Sequence, residues 1–290
     1  MNLAYLAAGL SSILWGASFL LTKITLTQLG PMAVAALRWW IASAVLLALA
    51  SFSIESRESL KLALRKGWPV FVGLGILGEG LYSIFQNLAL VYTTSVDVGL
   101  IMNAFPALTA VLAVWLLGER FTQRALYGLL FSMAGVTLVS LGGLSEAGSI
   151  AHARLAGNLL ALTATIVGAL YLIVGKRVVA TYGPLAVTAL GGLFGALALT
   201  PFAVWEGISL QLSVNVWGAL LSLALGCGAA ATWLWWYAAD RLPVSQAGVF
   251  IYITPVVSTL LGVMVLQEPL GTVTAAGAIF VLGGVVLAQT

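Results

Sequence analysis

The segment Gly207–Ala239 reads GISLQLSVNVWGALLSLALGCGAAATWLWWYAA and contains no Asp, Glu, Lys or Arg along its whole length. A helix needs about 20 predominantly apolar residues to cross the hydrocarbon core of a bilayer. This stretch is therefore long enough to span a membrane. The same holds for other uncharged runs of the chain: Met1–Thr22, Val98–Gly118, Ala125–Ser145, Val178–Trp205 and Leu242–Gln267.

The composition extends this prediction to the whole chain. Of the 290 residues, 61% are hydrophobic and 7% are charged, whereas soluble domains carry roughly 25% charged residues. Ten spans of about 22 residues leave about 70 residues for loops, which excludes a separate soluble catalytic domain. The predicted spans lie near residues 3–25, 32–52, 68–91, 96–117, 125–143, 156–175, 184–205, 217–238, 244–266 and 270–288.

The Lys and Arg residues are divided unequally between the two sides of the membrane. Cytoplasmic loops of membrane proteins retain an excess of positive charge. The loops on the side of the amino terminus hold nine Lys and Arg residues, and the opposite loops hold Lys23 and Arg154. We therefore predict that both termini are cytoplasmic.

The two halves of the chain repeat each other. The segment Tyr92–Phe121 aligns with Arg241–Leu270 at a constant offset of 149 residues. Such internal similarity predicts a duplicated structural unit. The matched pairs are Gly99 with Gly248, Pro106 with Pro255, Glu119 with Glu268 and Gly135 with Gly284, and at an offset of 153 Lys23 and Gly30-Pro31 match Lys176 and Gly183-Pro184.

Each unit holds five predicted helices, an odd number, so the second copy enters the membrane upside down. The predicted fold is an all-α integral membrane protein with ten transmembrane helices arranged as two inverted five-helix repeats. The first repeat covers residues 1–145, a short periplasmic linker covers 146–155, and the second repeat covers 156–290. Inverted repeats are typical of secondary transporters, whose substrate site lies near the midplane where the repeats meet.

Specific motifs add a family resemblance. The opening Leu14-Trp-Gly-Ala-Ser-Phe19 and the Pro-containing helices that end in Leu-Leu-Gly-Glu119-Arg and Leu-Gln-Glu268-Pro resemble the EamA-type exporters of the drug/metabolite transporter superfamily over essentially the whole chain. Within that family, the chain is similar to the aromatic amino-acid exporters of the YddG type. The resemblance implies a bacterial inner-membrane exporter of amino acids, related metabolites or cationic toxicants. The second repeat departs from the pattern, because Val167-Gly-Ala-Leu-Tyr171 replaces the opening motif.

Glu79 lies about midway along the third predicted span, where an ionised carboxylate is costly and usually functional. Tyr82, Ser83 and Gln86 follow at three, four and seven residues, so they share one helix face with Glu79. We predict that this face lines a substrate cavity, in which Glu79 binds a substrate ammonium group or carries a coupling proton. A buried Glu that fixes helix packing is the structural alternative.

Trp15 and Ser18 belong to a polar stripe of the first span that also contains Ser11 and Thr22. Membrane Trp residues normally lie at the ends of spans. A Trp at mid-membrane is therefore predicted to contact substrate by stacking or by a cation–π interaction. Packing of the small residues against a neighbouring helix is the alternative.

Pro106 and Pro255 fall near the middle of their predicted spans, where each removes one backbone hydrogen bond. The carbonyl groups of Met102 and Ile251 are predicted to lose their partners, and in a membrane such groups need protein, water or ligand. We expect the two prolines to act as hinges. Kinks that only shape the helix bundle fit the pattern equally well.

The remaining predicted binding residues are polar or aromatic. Asn103 and Tyr252 lie next to the two expected free carbonyl groups, and Tyr171 is the second-repeat counterpart of Ser18 or of Phe19, depending on the alignment.

In the eighth span, interface anchoring explains Trp236 and Tyr237. Trp233 or Trp235 is left for the cavity, and we include Trp235 in the predicted site although the pattern does not select the face.

Arg38 lies six residues inside the second span, roughly 9 Å from its end. Snorkelling to the interface explains this position, and pairing with Asp97 or with a substrate carboxylate is the alternative. Glu119 and Glu268 precede the fifth and tenth spans, where a carboxylate favours the positive end of a helix dipole. We interpret these two residues as structural.

Several classes of function are excluded or disfavoured. The basic residues are scattered over loops, so no nucleic-acid partner is expected. Gly73-Leu-Gly75-Ile-Leu-Gly78 matches a dinucleotide-binding pattern but lies within a membrane helix, where it predicts close helix packing. With one His, His152, one Cys, Cys227, and neither a G-x-S-x-G nor an H-E-x-x-H motif, the chain is not expected to be an enzyme or to hold a catalytic residue, metal or cofactor.

The sequence therefore predicts a secondary-active or facilitative exporter of small amphipathic metabolites that works by alternating access. Aromatic or other hydrophobic amino acids are the expected substrates. A lipid or carrier-linked sugar flippase and an efflux pump for toxic organic cations are the alternatives. The expected partners are the small-molecule substrate and the lipid bilayer, while coupling to protons and the choice between monomer and homodimer stay open.

Overall fold

The computed structural model describes residues 3–105, 108, 123–142, 149–242 and 250–289, and the regular elements within these ranges are helical. Three π-helical stretches continue from α-helices without a break: π1 (Ala63–Gly67), π2 (Gly75–Tyr82) and π3 (Ser222–Ala230). The α-helices are α1 (Leu3–Thr25), α2 (Pro31–Ala50), α3 (Ile54–Leu62), α4 (Trp68–Leu74), α5 (Ser83–Tyr92), α6 (Ser95–Met102), α7 (Gln123–Gly142), α8 (Ser149–Glu206), α9 (Val214–Leu221), α10 (Ala231–Arg241), α11 (Ile253–Met264) and α12 (Thr272–Gln289).

Several of these elements join end to end into runs that are long and apolar enough to cross a bilayer. Shorter apolar helices lie within α7, α11 and α12, and the predicted fourth span begins with α6 and continues largely outside the described residues. Among the described residues, five helical runs reach the length and hydropathy of a membrane span: Leu3–Thr25, Pro31–Ala50, Ile54–Tyr92, Ala151–Glu206 and Val214–Arg241.

The longest helix, α8, contains two predicted spans, and one residue between them breaks the helical conformation. Gly183 has φ 76° and ψ 162°, which is not helical. Glycine adopts a positive φ without steric cost because it lacks a Cβ. Pro184 then starts the second segment with its fixed φ. The matched Gly30-Pro31 pair likewise precedes and begins α2, so the two Gly-Pro pairs mark equivalent helix starts in the two repeats.

Helices α7 and α12, the last of each repeat, pack against each other through glycine. A Cβ on Gly135 would lie 2.5 Å from the backbone nitrogen of Val281, and a Cβ on Gly284 would overlap the backbone nitrogen of Ser132. Small residues let membrane helices approach this closely. Each contact maps onto the other at the 149-residue offset, as expected for two copies related by a two-fold axis.

The π-helical stretches π2 and π3 occupy corresponding places in the third and eighth spans, and the sequence analysis did not anticipate them. π-Helical turns are rare and frequently occur at functional sites. In π2, a Cβ on Gly75 would lie 2.7 Å from the carbonyl oxygen of Gly191 in α8, and one on Gly78 would overlap the ring of Tyr171. The close packing predicted for this glycine-rich segment is thus confirmed at Gly75 and Gly78, whereas a Cβ on Gly73 would meet open space.

Carboxylates cap helices of the opposite repeat. Glu268 accepts hydrogen bonds from the backbone N–H of Ser95 at 2.9 Å and of Val96 at 3.1 Å, at the start of α6. Glu206, at the end of α8, accepts one from the backbone N–H of Ala33 at 2.9 Å, at the start of α2. A carboxylate at a helix N-terminus is favourable. The structural role predicted for Glu268 therefore acts on a helix of the first repeat, while Glu119 lies outside the described residues.

The buried carboxylate of Asp97 joins the first repeat to the segment that leads into the second repeat. Nε of Arg154 lies 2.8 Å from Oδ2 of Asp97, and Nη2 of Arg154 lies 3.2 Å from Oδ1. Thr93 Oγ1 also donates to Asp97, at 3.1 Å. The alternative that paired Asp97 with Arg38 is wrong, because the chain folds Arg154, which lies near the start of α8, against Asp97.

Candidate functional site

A cavity lies between the two repeats at the level of the middle of the spans, and its wall contains eight of the nine predicted binding residues. Side chains from α1, π2, α5 and the α6 region contribute from the first repeat, and side chains from α8 and α10 contribute from the second. These eight residues are Trp15, Ser18, Glu79, Tyr82, Gln86, Asn103, Tyr171 and Trp235.

Glu79 is buried in this wall, with 4% of its surface exposed. Its Oε1 accepts a hydrogen bond from the Tyr171 hydroxyl at 2.9 Å. The main chain of α8 packs directly behind Glu79, because a Cβ on Gly195 would lie 2.5 Å from the Cβ of Glu79. The first repeat thus supplies the carboxylate, and the second repeat supplies its hydrogen-bond donor and its packing surface.

Aromatic rings form much of the remaining surface. Trp15 and Trp235 lie with ring centroids 5.3 Å apart, and Tyr171 meets Trp236 edge to face at 5.6 Å. Trp236 is fully buried and lines the cavity, so its interpretation as an interface anchor is wrong. Trp233 is 38% exposed and packs on Tyr237, which settles the face of α10 that the sequence left open.

Asn103 carries a side-chain amide with no partner among the described residues. It is 2% exposed and lines the cavity, and neither Nδ2 nor Oδ1 makes a hydrogen bond. An unpaired buried polar group costs free energy. The amide is therefore available to both donor and acceptor groups of a bound ligand.

Arg38 also lines the cavity and is 6% exposed. Its Nη2 donates a hydrogen bond to the carbonyl oxygen of Cys227 at 3.2 Å. Snorkelling is therefore the wrong explanation for this residue, because the guanidinium group points into the bundle rather than to the interface. A long cationic side chain near a span end favours snorkelling in general, and the tertiary contact with π3 cannot be read from local sequence.

Tyr252 and Pro255 lie differently from the prediction. Tyr252 is partly buried and does not belong to the cavity wall, where Ile251 and Thr254 take its place. The carbonyl oxygen of Ile251, expected to be free, accepts a hydrogen bond from the backbone N–H of Thr254 at 3.0 Å. Pro255 follows this turn as the third residue of α11, and Pro106 lies outside the described residues.

Several residues of the cavity wall were not predicted from the sequence. They are large or polar side chains, namely Phe19, Arg38, Trp39, Phe105, Thr232, Trp236, Ile251 and Thr254. Phe19 carries a usable signal, because it lies four residues after Trp15 and so shares its helix face. The position of Trp39 on the cavity wall depends on tertiary contacts that the sequence does not reveal. In the structure, its Nε1 donates a hydrogen bond to Ser83 Oγ at 3.3 Å.

The part of the chain that the structure describes shows no candidate metal site. Within those ranges, no group of three or more His, Cys, Asp or Glu side chains is placed to hold a metal ion.

The helix set, the contacts between the halves and the cavity between them define the class of protein, a polytopic membrane transporter with a small-molecule substrate. The chain belongs to the EamA-like transporter family, whose model matches residues 2–141 and again residues 155–290. The double match confirms the prediction of ten transmembrane helices in two repeats.

Relatives with curated descriptions are similar over most of the chain. The uncharacterized transporter YetK of Bacillus subtilis is 30% identical over 97% of this chain and 85% of its own length. The aromatic amino acid exporter YddG of Ancylobacter novellus is 30% identical over 77% of each chain. A crystal structure described only as that of a protein has a TM-score of 0.73 and 26% identity, covering 98% of this chain and 96% of that one.

Proposed function

We propose that this protein is a bacterial inner-membrane exporter of small amphipathic metabolites, with aromatic and other hydrophobic amino acids as substrates. The single observation that supports this proposal best is the buried carboxylate of Glu79 in a cavity walled by aromatic rings between the two repeats. Glu79 binds the substrate ammonium group, and the rings contact the apolar side chain.

Physical chemistry accounts for this pairing of groups. A buried carboxylate is costly unless a cation or hydrogen-bond donors compensate it, and Tyr171 is the one donor to Glu79 in the described structure. An ammonium group adds the compensating charge. The indole face of Trp15 offers an apolar, electron-rich surface to the rest of the molecule. A substrate with a cationic head and an apolar body matches both features.

Alternating access follows from the inverted repeats. One half rocks against the other around a fixed midplane site in many such transporters. In this chain, a turn at Ile251–Tyr252 lies beside the cavity and directly precedes α11, which contains Pro255, and we assign this turn the role of a hinge. Both termini lie in the cytoplasm in this proposal, as the distribution of Lys and Arg predicts.

The test is uptake of radiolabelled Phe, Trp, Leu, Thr and a quaternary ammonium ion into proteoliposomes. The wild-type protein is compared with Glu79→Gln and Trp15→Ala. Two matched controls are Glu55→Gln and Trp205→Ala, because both residues are exposed and lie outside the cavity. We expect saturable uptake of Phe and Trp, with kcat/KM about 10- to 100-fold lower in Glu79→Gln, as for a lost charge-assisted hydrogen bond.

Other results would contradict the proposal. Uptake of the quaternary ion alone would establish the organic-cation pump instead. Movement of a fluorescent lipid without movement of any amino acid would establish the flippase. Equal losses of transport in Glu55→Gln and Glu79→Gln would show that the substrate does not bind to Glu79 in the cavity.

A further inference from the structure

Arg38 has hydrogen-bonding capacity that the described protein does not use. A guanidinium group carries five N–H donors. Arg38 is buried, with 6% of its surface exposed. Its Nη2 bonds to the Cys227 carbonyl, while Nε has no partner among the described residues. A buried cation is stabilised by pairing, and this side chain on the cavity wall forms no ion pair with any residue that the structure describes.

The carboxylate of Glu79 on the same wall is near enough to interact electrostatically with Arg38 but makes no direct contact with it. No ion pair joins Arg38 to Glu79 in the part of the chain that the structure describes. Glu79 is held by Tyr171 from α8, and Arg38 is held by the π3 carbonyl. Two opposite charges therefore line one apolar cavity while each is anchored to a different element. A ligand that carries both charges would compensate both residues at once.

Each charge lies against a glycine of the other repeat. A Cβ on Gly195 would lie 2.5 Å from the Cβ of Glu79, and a Cβ on Gly228 would lie 3.4 Å from Nε of Arg38. At the 149-residue offset the position matched to Glu79 is Gly228, and at the 153-residue offset the position matched to Arg38 is Gly191. The two repeats thus differ in charge at matched positions, which gives the cavity one positive and one negative side.

We propose that Arg38 binds the carboxylate of a zwitterionic α-amino acid whose ammonium group binds Glu79, so that Arg38 selects amino acids over organic cations. This inference rests on the function proposed above. The planar guanidinium fork matches a carboxylate with two parallel hydrogen bonds. On the same cavity wall, the Asn103 amide, which has no partner among the described residues, supplies a further donor and acceptor. A purely cationic ligand would leave Arg38 uncompensated and would be repelled by it.

A ligand series on the wild-type protein tests this selection without any substitution. Phenylalanine carries both charges, phenethylamine lacks the carboxylate, and 3-phenylpropionate lacks the ammonium group. Each is measured by uptake into proteoliposomes and by competition against labelled phenylalanine. We expect phenylalanine to be preferred over either analogue by about 10-fold or more, since each lacks one charge-assisted interaction.

Variants then assign the preference to Arg38. Arg38→Gln is expected to weaken the binding of phenylalanine about 10- to 100-fold. The binding of phenethylamine should stay unchanged or become tighter. Arg38→Lys keeps the charge but not the fork, and we expect partial recovery. Arg241→Gln is the matched control, because Arg241 is exposed and stacks on Tyr237 away from the cavity. Size-exclusion profiles and melting temperatures in detergent report whether each variant is folded.

The outcomes separate this inference from the proposed function. Equal losses for phenylalanine and phenethylamine in a folded Arg38→Gln protein would overturn the role of Arg38 and leave an amino-acid transporter. If Arg38→Gln does not fold, the wild-type series decides, and a preference for phenethylamine over phenylalanine overturns the inference. If the wild-type protein moves none of the three ligands, the proposed function fails and this inference fails with it.

Discussion

At the scale of single residues, the position of the Glu79 carboxylate depends on two neighbours that do not carry charge. Tyr171 donates a hydrogen bond to it at 2.9 Å, and the ring of Tyr171 lies against Gly78 so closely that a Cβ there would overlap it. The sequence places Gly78 next to Glu79 and leaves Tyr171 92 residues away. The contact between them exists only because π2 packs on α8.

Tyr171→Phe keeps the ring and removes the hydrogen bond. We expect KM for phenylalanine to rise by about 2- to 10-fold, corresponding to a net hydrogen bond of about 0.5–1.5 kcal/mol, with little change in kcat. Steady-state uptake kinetics measure the two constants separately. Tyr92→Phe is the control, because the Tyr92 side chain is exposed at the end of α5. Identical kinetics for Tyr171→Phe and the wild type would contradict the role assigned to this hydroxyl.

Gly78→Ala tests the same contact from the other side. The added methyl group must displace the Tyr171 ring, so we expect a loss of about 1–3 kcal/mol in the free energy of unfolding together with weaker substrate binding. Gly73→Ala, five residues earlier, is the control because a Cβ there meets open space. Titration with SDS followed by circular dichroism gives the free energies. A Gly78→Ala protein as stable as Gly73→Ala would show that this contact is not tight.

The site could be predicted from sequence where one helix face carried the information. Glu79, Tyr82 and Gln86 repeat at helical spacing, and all three line the cavity. Arg38 and Trp236 could not be assigned, because each has a common alternative at a membrane interface and only contacts across repeats select the inward position. Tyr252 was misplaced because it lies in the turn immediately before α11, where helical spacing does not predict which side chains face the cavity.

At the scale of elements, the third span differs from a regular helix. π2 continues from α4 and leads into α5, and its Gly75 and Glu79 pack against glycines of α8. The close approach requires small residues on both sides. The apolar length of a span is readable from sequence because it depends on composition alone. A π-helical turn is not readable, because it reflects a balance of backbone hydrogen bonds and tertiary contacts.

Gly195→Ala should disturb this packing. Its Cβ would lie 2.5 Å from the Cβ of Glu79 and 3.0 Å from the carbonyl oxygen of Gly75, and neither atom can move without moving the main chain of π2. We expect about 1–3 kcal/mol of destabilisation and a higher KM. Gly191→Ala, one turn earlier in α8, meets nothing within 4 Å and should behave as wild type. Unfolding in SDS and uptake kinetics provide the comparison, and equal stability of the two variants would contradict the packing argument.

Pro255 tests the hinge in the ninth span. Pro255→Ala restores a backbone donor near the turn at Ile251–Tyr252 and allows a more continuous helix. We expect the transport rate to fall severalfold, on the order of 1 kcal/mol in the barrier, without loss of folding stability. Pro201→Ala is the control, since Pro201 also lies inside a helix but is exposed near the end of α8. Equal rates in both variants would reduce Pro255 to a residue that only shapes the bundle.

At the scale of the whole molecule, contacts between the repeats concentrate at the end of the bundle predicted to be periplasmic. The Glu268 cap on α6 and the Glu206 cap on α2 both lie there, and so does the Asp97–Arg154 ion pair at the start of α8. These contacts hold the repeats together on one side of the cavity. The duplication and its inversion were predictable, because the spacing of matched residues and the odd helix number follow from sequence. The partners across the interface were not, since matched positions in the two repeats carry different residues.

Asp97→Asn should open that end. Removing one member of a buried ion pair costs about 3–5 kcal/mol, so we expect a lower melting temperature and more frequent opening. The readout is the labelling of a Ser18→Cys reporter, in a Cys227→Ala background, by an impermeant maleimide added to the periplasmic side. Asp240→Asn is the control, because Asp240 pairs with Arg241 at an exposed site. A lower melting temperature with unchanged labelling would limit the ion pair to a role in folding.

The central claim, an alternating-access carrier for amphipathic amino acids, is tested most directly by counterflow. Proteoliposomes are loaded with unlabelled phenylalanine and diluted into a trace of labelled phenylalanine. A carrier that exposes one site to each side in turn must accumulate label transiently above its equilibrium level, and we predict this overshoot in the wild type and its loss in Glu79→Gln. Label that rises to equilibrium without an overshoot would indicate a channel. No uptake above protein-free liposomes would contradict the account altogether.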